Sequence, residues 1–178
     1  ATFGGFNFME FYGDDKTIIN PLRLHQRIIS ELEASLILCN TGISRDSSKI
    51  IIDQSRNLEK KSTKSLEAMH QIKEQALFMK ECLLTGDMDG FVTAMQKGWE
   101  SKKISSSAVS NKMINEVYDS AISAGARSGK ISGAGGGGYL MLFTPPENRM
   151  EVIRAVTKKG LKVSNCHFVP EGSYSWRM

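Results

Sequence analysis

The order of elements predicts an α+β fold in which an antiparallel sheet is backed by helices. Three observations carry that prediction. An aromatic-rich hairpin pattern opens the chain, a long stretch from Asp46 to Lys103 has helical periodicity, and a helix, glycine run, strand, helix and short strands follow it. At 178 residues and 40% hydrophobic content, the chain holds enough apolar material for one substantial core, or one domain plus a piece of a second.

Each element has a local reason. Phe6 to Tyr12 alternates partially and is rich in aromatics, Gly13-Asp14-Asp15 turns it, and Lys16 to Asn20 returns, so a hairpin is expected with Pro21 ending its second strand. A helix is expected from about Leu24 to Glu33, then a buried strand from Ser35 to Asn40 leading into Thr41-Gly42-Ile43-Ser44-Arg45. Ile50, Ile51, Leu58, Leu66, Met69, Ile72, Ala76, Met79 and Leu83 fall at three- and four-residue steps with interruptions, and Thr85-Gly86-Asp87 offers a helix stop followed by a start. Two or three antiparallel helices result. Ser105-Ser106-Ser107 breaks the pattern, Asn111 caps a helix reaching about Ala124, and Gly125 stops it. After the glycine run come a strand at Tyr139 to Phe143, a stop at Pro145-Pro146, a helix from Asn148 to Lys159, and short strands near Leu161–Val163 and His167–Val169.

Composition excludes several classes. No apolar run is long enough to span a bilayer, so no membrane role is expected. Cys39, Cys82 and Cys166 are scattered and odd in number, which fits neither a disulfide framework nor a zinc pair and suits a reducing cytoplasm. His25, His70 and His167 show no metal-ligand spacing. The net charge of +4 and pI near 9.0 permit an anionic partner, yet bases and acids are interleaved, and Lys60-Lys61 and Lys158-Lys159 read as solvated helix faces. Nucleic acid is not expected as a partner.

The chemistry concentrates in Lys130-Ile131-Ser132-Gly133-Ala134-Gly135-Gly136-Gly137-Gly138. A Walker A loop fails here, because Gly129-Lys130 is followed by Ile131 and the required first glycine is Ala124. Gly133, Gly135 and Gly138 match a dinucleotide fingerprint, but that motif follows a strand and opens a helix, whereas this run follows a helix and opens a strand. A flexible tether would be interleaved with Ser, Asn or Asp and lie between domains. Consecutive glycines cost conformational entropy, so the run must need positive φ angles or bare backbone, for a ligand or for tight packing.

The loop and its surroundings resemble motif three of the GHMP kinase superfamily. Phe3-Gly4-Gly5-Phe6-Asn7-Phe8, the strand into Thr41-Gly42-Ile43-Ser44-Arg45, Trp99-Glu100-Ser101-Lys102-Lys103 and Pro170-Glu171-Gly172-Ser173 are similar to its D-glycero-D-manno-heptose 7-phosphate kinase branch. The resemblance runs across essentially the whole chain. It implies a ferredoxin-like antiparallel sheet with an added helical bundle, residues 1–22 being the remnant of an N-terminal kinase domain and residues 23–178 the C-terminal domain. It further implies phosphoryl transfer from ATP and Mg²⁺ to a sugar phosphate. The main nucleotide-binding elements and the acidic group of the family would lie upstream, and the chain opens at Ala1 as if cut from a longer one.

On that resemblance no catalytic residue or metal ligand is expected here. Lys130, Ser132, Gly133, Ala134, Gly135, Gly136, Gly137 and Gly138 would line the phosphate cleft, and Gly4, Gly5, Thr41, Arg45 and Lys103 are candidates for substrate binding. Arg45, just after a strand end, is placed to grip a phosphate bidentately. The alternative is that Thr41, Ser44 and Asp46 cap the next helix and Arg45 is a surface charge. Trp99 is a candidate too, although tryptophan is usually core. The partners would be a sugar phosphate, ATP and the missing N-terminal domain, and an exposed former domain interface leaves room for a homo-oligomer. The rival classes are a stand-alone small-ligand or regulatory module and a single-stranded RNA binder, for which the Tyr139–Phe143 strand offers few stackable faces.

Overall fold

The computed structural model describes residues 2–43, 47–59 and 63–176. Arg45 and the Lys60-Lys61 pair lie outside them. The described chain runs β1 (Phe6–Phe11), β2 (Thr17–Leu22), α1 (Gln26–Ser35), β3 (Leu36–Asn40), α2 (Ser47–Glu59), α3 (Thr63–Thr85), α4 (Met88–Ser105), α5 (Lys112–Ser123), β4 (Ser128–Ile131), β5 (Tyr139–Phe143), α6 (Arg149–Lys158) and β6 (Lys162–Asn165). No helix among these is long and apolar enough to cross a membrane.

The strands β4-β5-β3-β6 form one antiparallel sheet, in that order. Its chain order is strand, helical crossover, two hairpin-linked strands, helical crossover, strand, which is the ferredoxin-like split arrangement. The added bundle, α2 to α4, is inserted in the first crossover ahead of α5.

Alternating side chains send the two central strands' residues to opposite faces. Ile37, Cys39, Leu140 and Leu142 bury against α5 and α6, including Ile114, Val117, Val152 and Val156. Leu36 and Phe143 bury against Ile28 and Leu32 of α1 and against Phe91 and Met95 of α4. Each such side chain contributes roughly 1.5–3 kcal/mol. Trp99 of α4, 1% exposed, joins the first of these clusters and ties the bundle to the sheet.

The hairpin β1–β2 forms as expected. Asp14 and Asp15 both take positive φ, the paired left-handed conformation of a tight hairpin turn. Pro21 does not end β2, which continues to Leu22 with Pro21 opposite Asn7. A two-stranded ribbon has only edge strands, where proline is tolerated. Phe6 packs into the second core and meets Phe168 at a centroid distance of 4.5 Å, while Lys80 of α3 lies over the Phe8 ring.

Two further differences bear on the site. The glycine run follows strand β4, not a helix, so it is the connection of a β-hairpin and Lys130 belongs to a strand. The expected strand near His167–Val169 does not form; Val169 accepts a backbone hydrogen bond from Gly5 and Phe168 N–H donates to Glu33 Oε1.

Candidate phosphate-binding loop

The loop from Ser132 to Gly138 is closed at its base by Ser132 N–H donating to Tyr139 O at 2.8 Å. Three neighbours then back it. Gly136 N–H donates to Val109 O at 2.7 Å, Gly138 N–H donates to Ile43 O at 2.9 Å, and both the amide and the hydroxyl of Thr41 donate to Gly138 O at 2.9 Å. Lys102, from the last turn of α4, donates its ammonium to Gly133 O.

The glycines divide by cause. A Cβ on Gly135 would stand 2.8 Å from Val109 O, and one on Gly137 would stand 2.5 Å from Ile43 O, so these two are needed for close backbone packing. Gly133 and Gly138 face open space but hold φ near +81° and +83°, a region that favours glycine. Bare backbone therefore serves packing on one side of the loop and accessibility on the other. Among the described residues the amides of Gly133, Ala134, Gly135 and Gly137 have no partner. Unpaired loop amides are anion donors.

Asn111 links this loop to α5. Its Oδ1 accepts from Ile114 N–H at 3.0 Å, capping α5, and its Nδ2 donates to Gly136 O at 3.4 Å. Asn111→Ala is expected to lower stability by about 1 kcal/mol, or about 2–4 °C in Tm, as a lost cap does. Thermal denaturation of the two proteins checks this.

The lysines at the end of α4 take different places. Lys103 pairs with Glu100 at 2.9 Å and lies 5.9 Å from the Trp99 ring centroid, while its neighbour Lys102 reaches the loop. Burial, and then the positive charge of Lys130, push the Lys102 ammonium down to about 8. Burial also lowers Lys130. No carboxylate among the described residues pairs with either.

The other candidates separate into two places. Thr41 is buried against the loop, with its hydroxyl engaged by Gly138 O, so it positions the loop. Gly4 and Gly5 are engaged by the C-terminal segment: a Cβ on Gly4 would stand 2.3 Å from the Glu171 carbonyl carbon, and Gly5 N–H donates to Val169 O. Ser132 is exposed at the loop's entry. Arg45 is outside the described residues. Lys102 was missed, although its i, i+3 spacing from the core residue Trp99 puts it on the buried side of α4.

Comparison with known proteins gives the site its context. The family model described as "GHMP kinases C terminal" matches residues 79–162. The whole chain is 44% identical over 178 residues to D-glycero-alpha-D-manno-heptose 7-phosphate kinase of Campylobacter jejuni, of which it spans 52%. The crystal structure of a D-glycero-D-manno-heptose 1-phosphate kinase from Bacteroides thetaiotaomicron shares 33% identity and a TM-score of 0.69, over 99% of this chain and 46% of that one. The mevalonate kinase of L. major in complex with R-mevalonate shares the fold at 16% identity and a TM-score of 0.76, over 97% of this chain and 51% of that one. The chain thus spans about half the length of the relatives it matches. The matched segment holds α4, the loop and β5, and the same fold recurs across these kinases.

Proposed function

We propose that the chain is the C-terminal half of an ATP-dependent sugar kinase that phosphorylates D-glycero-D-manno-heptose 7-phosphate to the 1,7-bisphosphate, acting in the cytoplasm. The observation that carries the phosphate-binding part is the glycine loop, rigidly backed yet with four amides unpaired among the described residues. The 44% identity across the chain supports the choice of a heptose phosphate.

In this reading the loop is one wall of the transfer cleft. Its amides meet phosphoryl oxygens, and its backing by Thr41, Val109 and Ile43 keeps those donors fixed while charge moves, since phosphoryl transfer depends mainly on positioning and charge neutralisation. ATP would be held mainly by the half of the enzyme that precedes this chain. Mg²⁺ would neutralise its phosphates, and the described residues contain no group of three His, Cys, Asp or Glu that could hold a metal.

The test is ATP-dependent phosphorylation of heptose 7-phosphate by the enzyme that carries this chain as its second half. Turnover is expected there and none from the 178-residue chain alone. Robust turnover by the chain alone, or a complete enzyme that ignores heptose 7-phosphate while turning over another sugar, overturns the reading. Loss of sugar-phosphate affinity in Arg45→Ala with ATP affinity kept would place Arg45 at the substrate.

A further inference from the structure

The turn that backs the glycine loop is itself held from a more distant helix. Ser106, 2% exposed, opens the single 3₁₀ turn Ser107–Val109. Its hydroxyl oxygen accepts from Ala108 N–H at 3.1 Å, and its carbonyl accepts from Val109 N–H at 3.2 Å. The hydroxyl proton is left to donate elsewhere, and it goes to Oδ2 of Asp53, a half-buried residue of α2. Among the described residues no lysine, arginine or histidine forms an ion pair with Asp53. A hydrogen bond to a carboxylate is roughly twice as strong as one to a neutral acceptor.

The far end of the turn touches the loop twice. Val109 O accepts from Gly136 N–H at 2.7 Å, and Val109 Cα would lie 2.9 Å from a Cβ on Gly135. A shift of Val109 therefore carries Gly136 with it, and also Gly135, whose amide is left for an anion. The neighbouring α2 side chains stop one residue short of the turn: Gln54 donates to Ser105 Oγ at 2.9 Å and Asn57 to Ser105 O at 3.1 Å. Of these three, Asp53 is the one that reaches the hydroxyl capping the turn.

We propose that Asp53 is a positioning residue for phosphoryl transfer: by accepting from the Ser106 hydroxyl it fixes the 3₁₀ turn, and through Val109 it holds Gly135 and Gly136 in place against a phosphoryl group. This role rests on the loop's proposed part in phosphate binding. Donors fixed ahead of the reaction act on the transition state more than on bound substrate, so displacing them lowers kcat rather than raising KM.

The test uses the complete enzyme that carries this chain as its second half, with the sugar phosphate that it turns over. Asp53→Ala should lower kcat about tenfold to a hundredfold while KM for the sugar phosphate stays within about twofold. The double variant Asp53→Ala, Ser106→Ala should lose no more than Ser106→Ala alone, because both changes break one link. Asn57→Ala is the control. It loosens α2 from Ser105 but leaves the Ser106 hydroxyl bonded, and kcat should stay within about twofold. Asp53→Asn keeps an uncharged acceptor of the same shape and should restore part of the loss; if Asp53→Ala fails to fold, it carries both measurements.

The second measurement needs no substrate. In the same enzyme, amide hydrogen exchange at Gly136 should quicken about tenfold or more in Asp53→Ala, while Gly138, held by Ile43 O, should change less. Unchanged exchange at Gly136 overturns the link itself. Faster exchange with unchanged kcat overturns the loop's part in phosphate binding and the positioning role with it. An equal loss of kcat in Asn57→Ala, or additive losses in the double variant, reduces Asp53 to general support of α2 and overturns the proposal.

Discussion

Gly137→Ala is expected to destabilise the chain by about 2–4 kcal/mol, a fall in Tm of about 5–15 °C, and to displace the loop. The added Cβ would lie 2.5 Å from the backbone oxygen of Ile43, which is itself held by Gly138 N–H, so neither side can yield cheaply. Gly135→Ala should behave alike, with Val109 O at 2.8 Å and φ near +121°. Gly133→Ala is the control. It meets nothing within 4 Å and pays only the left-handed backbone cost of about 1–2 kcal/mol. Urea denaturation of the three variants compares them, and a Gly137→Ala protein no less stable than Gly133→Ala would show that the loop is not braced as described.

The second large effect is a pH dependence that Lys102→Met should remove. The folded Lys102 ammonium titrates near 8, against 10.5 for a free lysine, because burial and then Lys130 oppose its charge. Below about pH 8 both folded and unfolded chains carry the proton and the penalty is fully felt. Between about 8 and 10.5 the folded chain has released its proton while the unfolded chain keeps it, so stability rises with pH. At ~1.4 kcal/mol per pH unit the rise would reach about 3 kcal/mol for a fully buried group, and partial exposure reduces it to about 1–2. Denaturation curves at pH 7, 8, 9 and 10 should therefore diverge, with the parent gaining on Lys102→Met as pH rises. Parallel curves would mean that the ammonium is well solvated.

Much of this arrangement was legible in the residues. The glycine run, the Thr85-Gly86-Asp87 punctuation and the Asn111 cap each announce themselves through backbone chemistry, and all appear: Gly86 takes φ +79°, Asp87 caps α4 through Gly90 N–H, and Asn111 caps α5. β4 was not legible. Ser128-Gly129-Lys130-Ile131 has one strand-favouring residue in four, and it becomes a strand only because β5 is there to pair with it. Its pairing is close enough that a Cβ on Gly129 would meet Leu142 at 2.6 Å.

The choice between Lys102 and Lys103 turned on helical phase. Both follow Trp99 by about one turn, and only the packing of α4 on β4 settles which of them faces the loop. Side-chain links between distant segments leave even less trace. Asp53 and Ser106 are 53 positions apart, and their hydrogen bond exists only once α2 lies against the turn that follows α4.

The central strand β3 has a consequence for how the chain reaches this state. Its partners, β5 and β6, lie about 100 and 125 residues further along, and no local hairpin completes it. Contacts of such high sequence separation close large loops and slow folding. During synthesis Leu36-Ile37-Leu38-Cys39 would emerge with both edges open and wait for Tyr139–Phe143, long after α3 and α4 have formed. A chain that stalls or is cleaved before β5 exposes an apolar strand with two unpaired edges, the feature that draws chaperones and seeds aggregation.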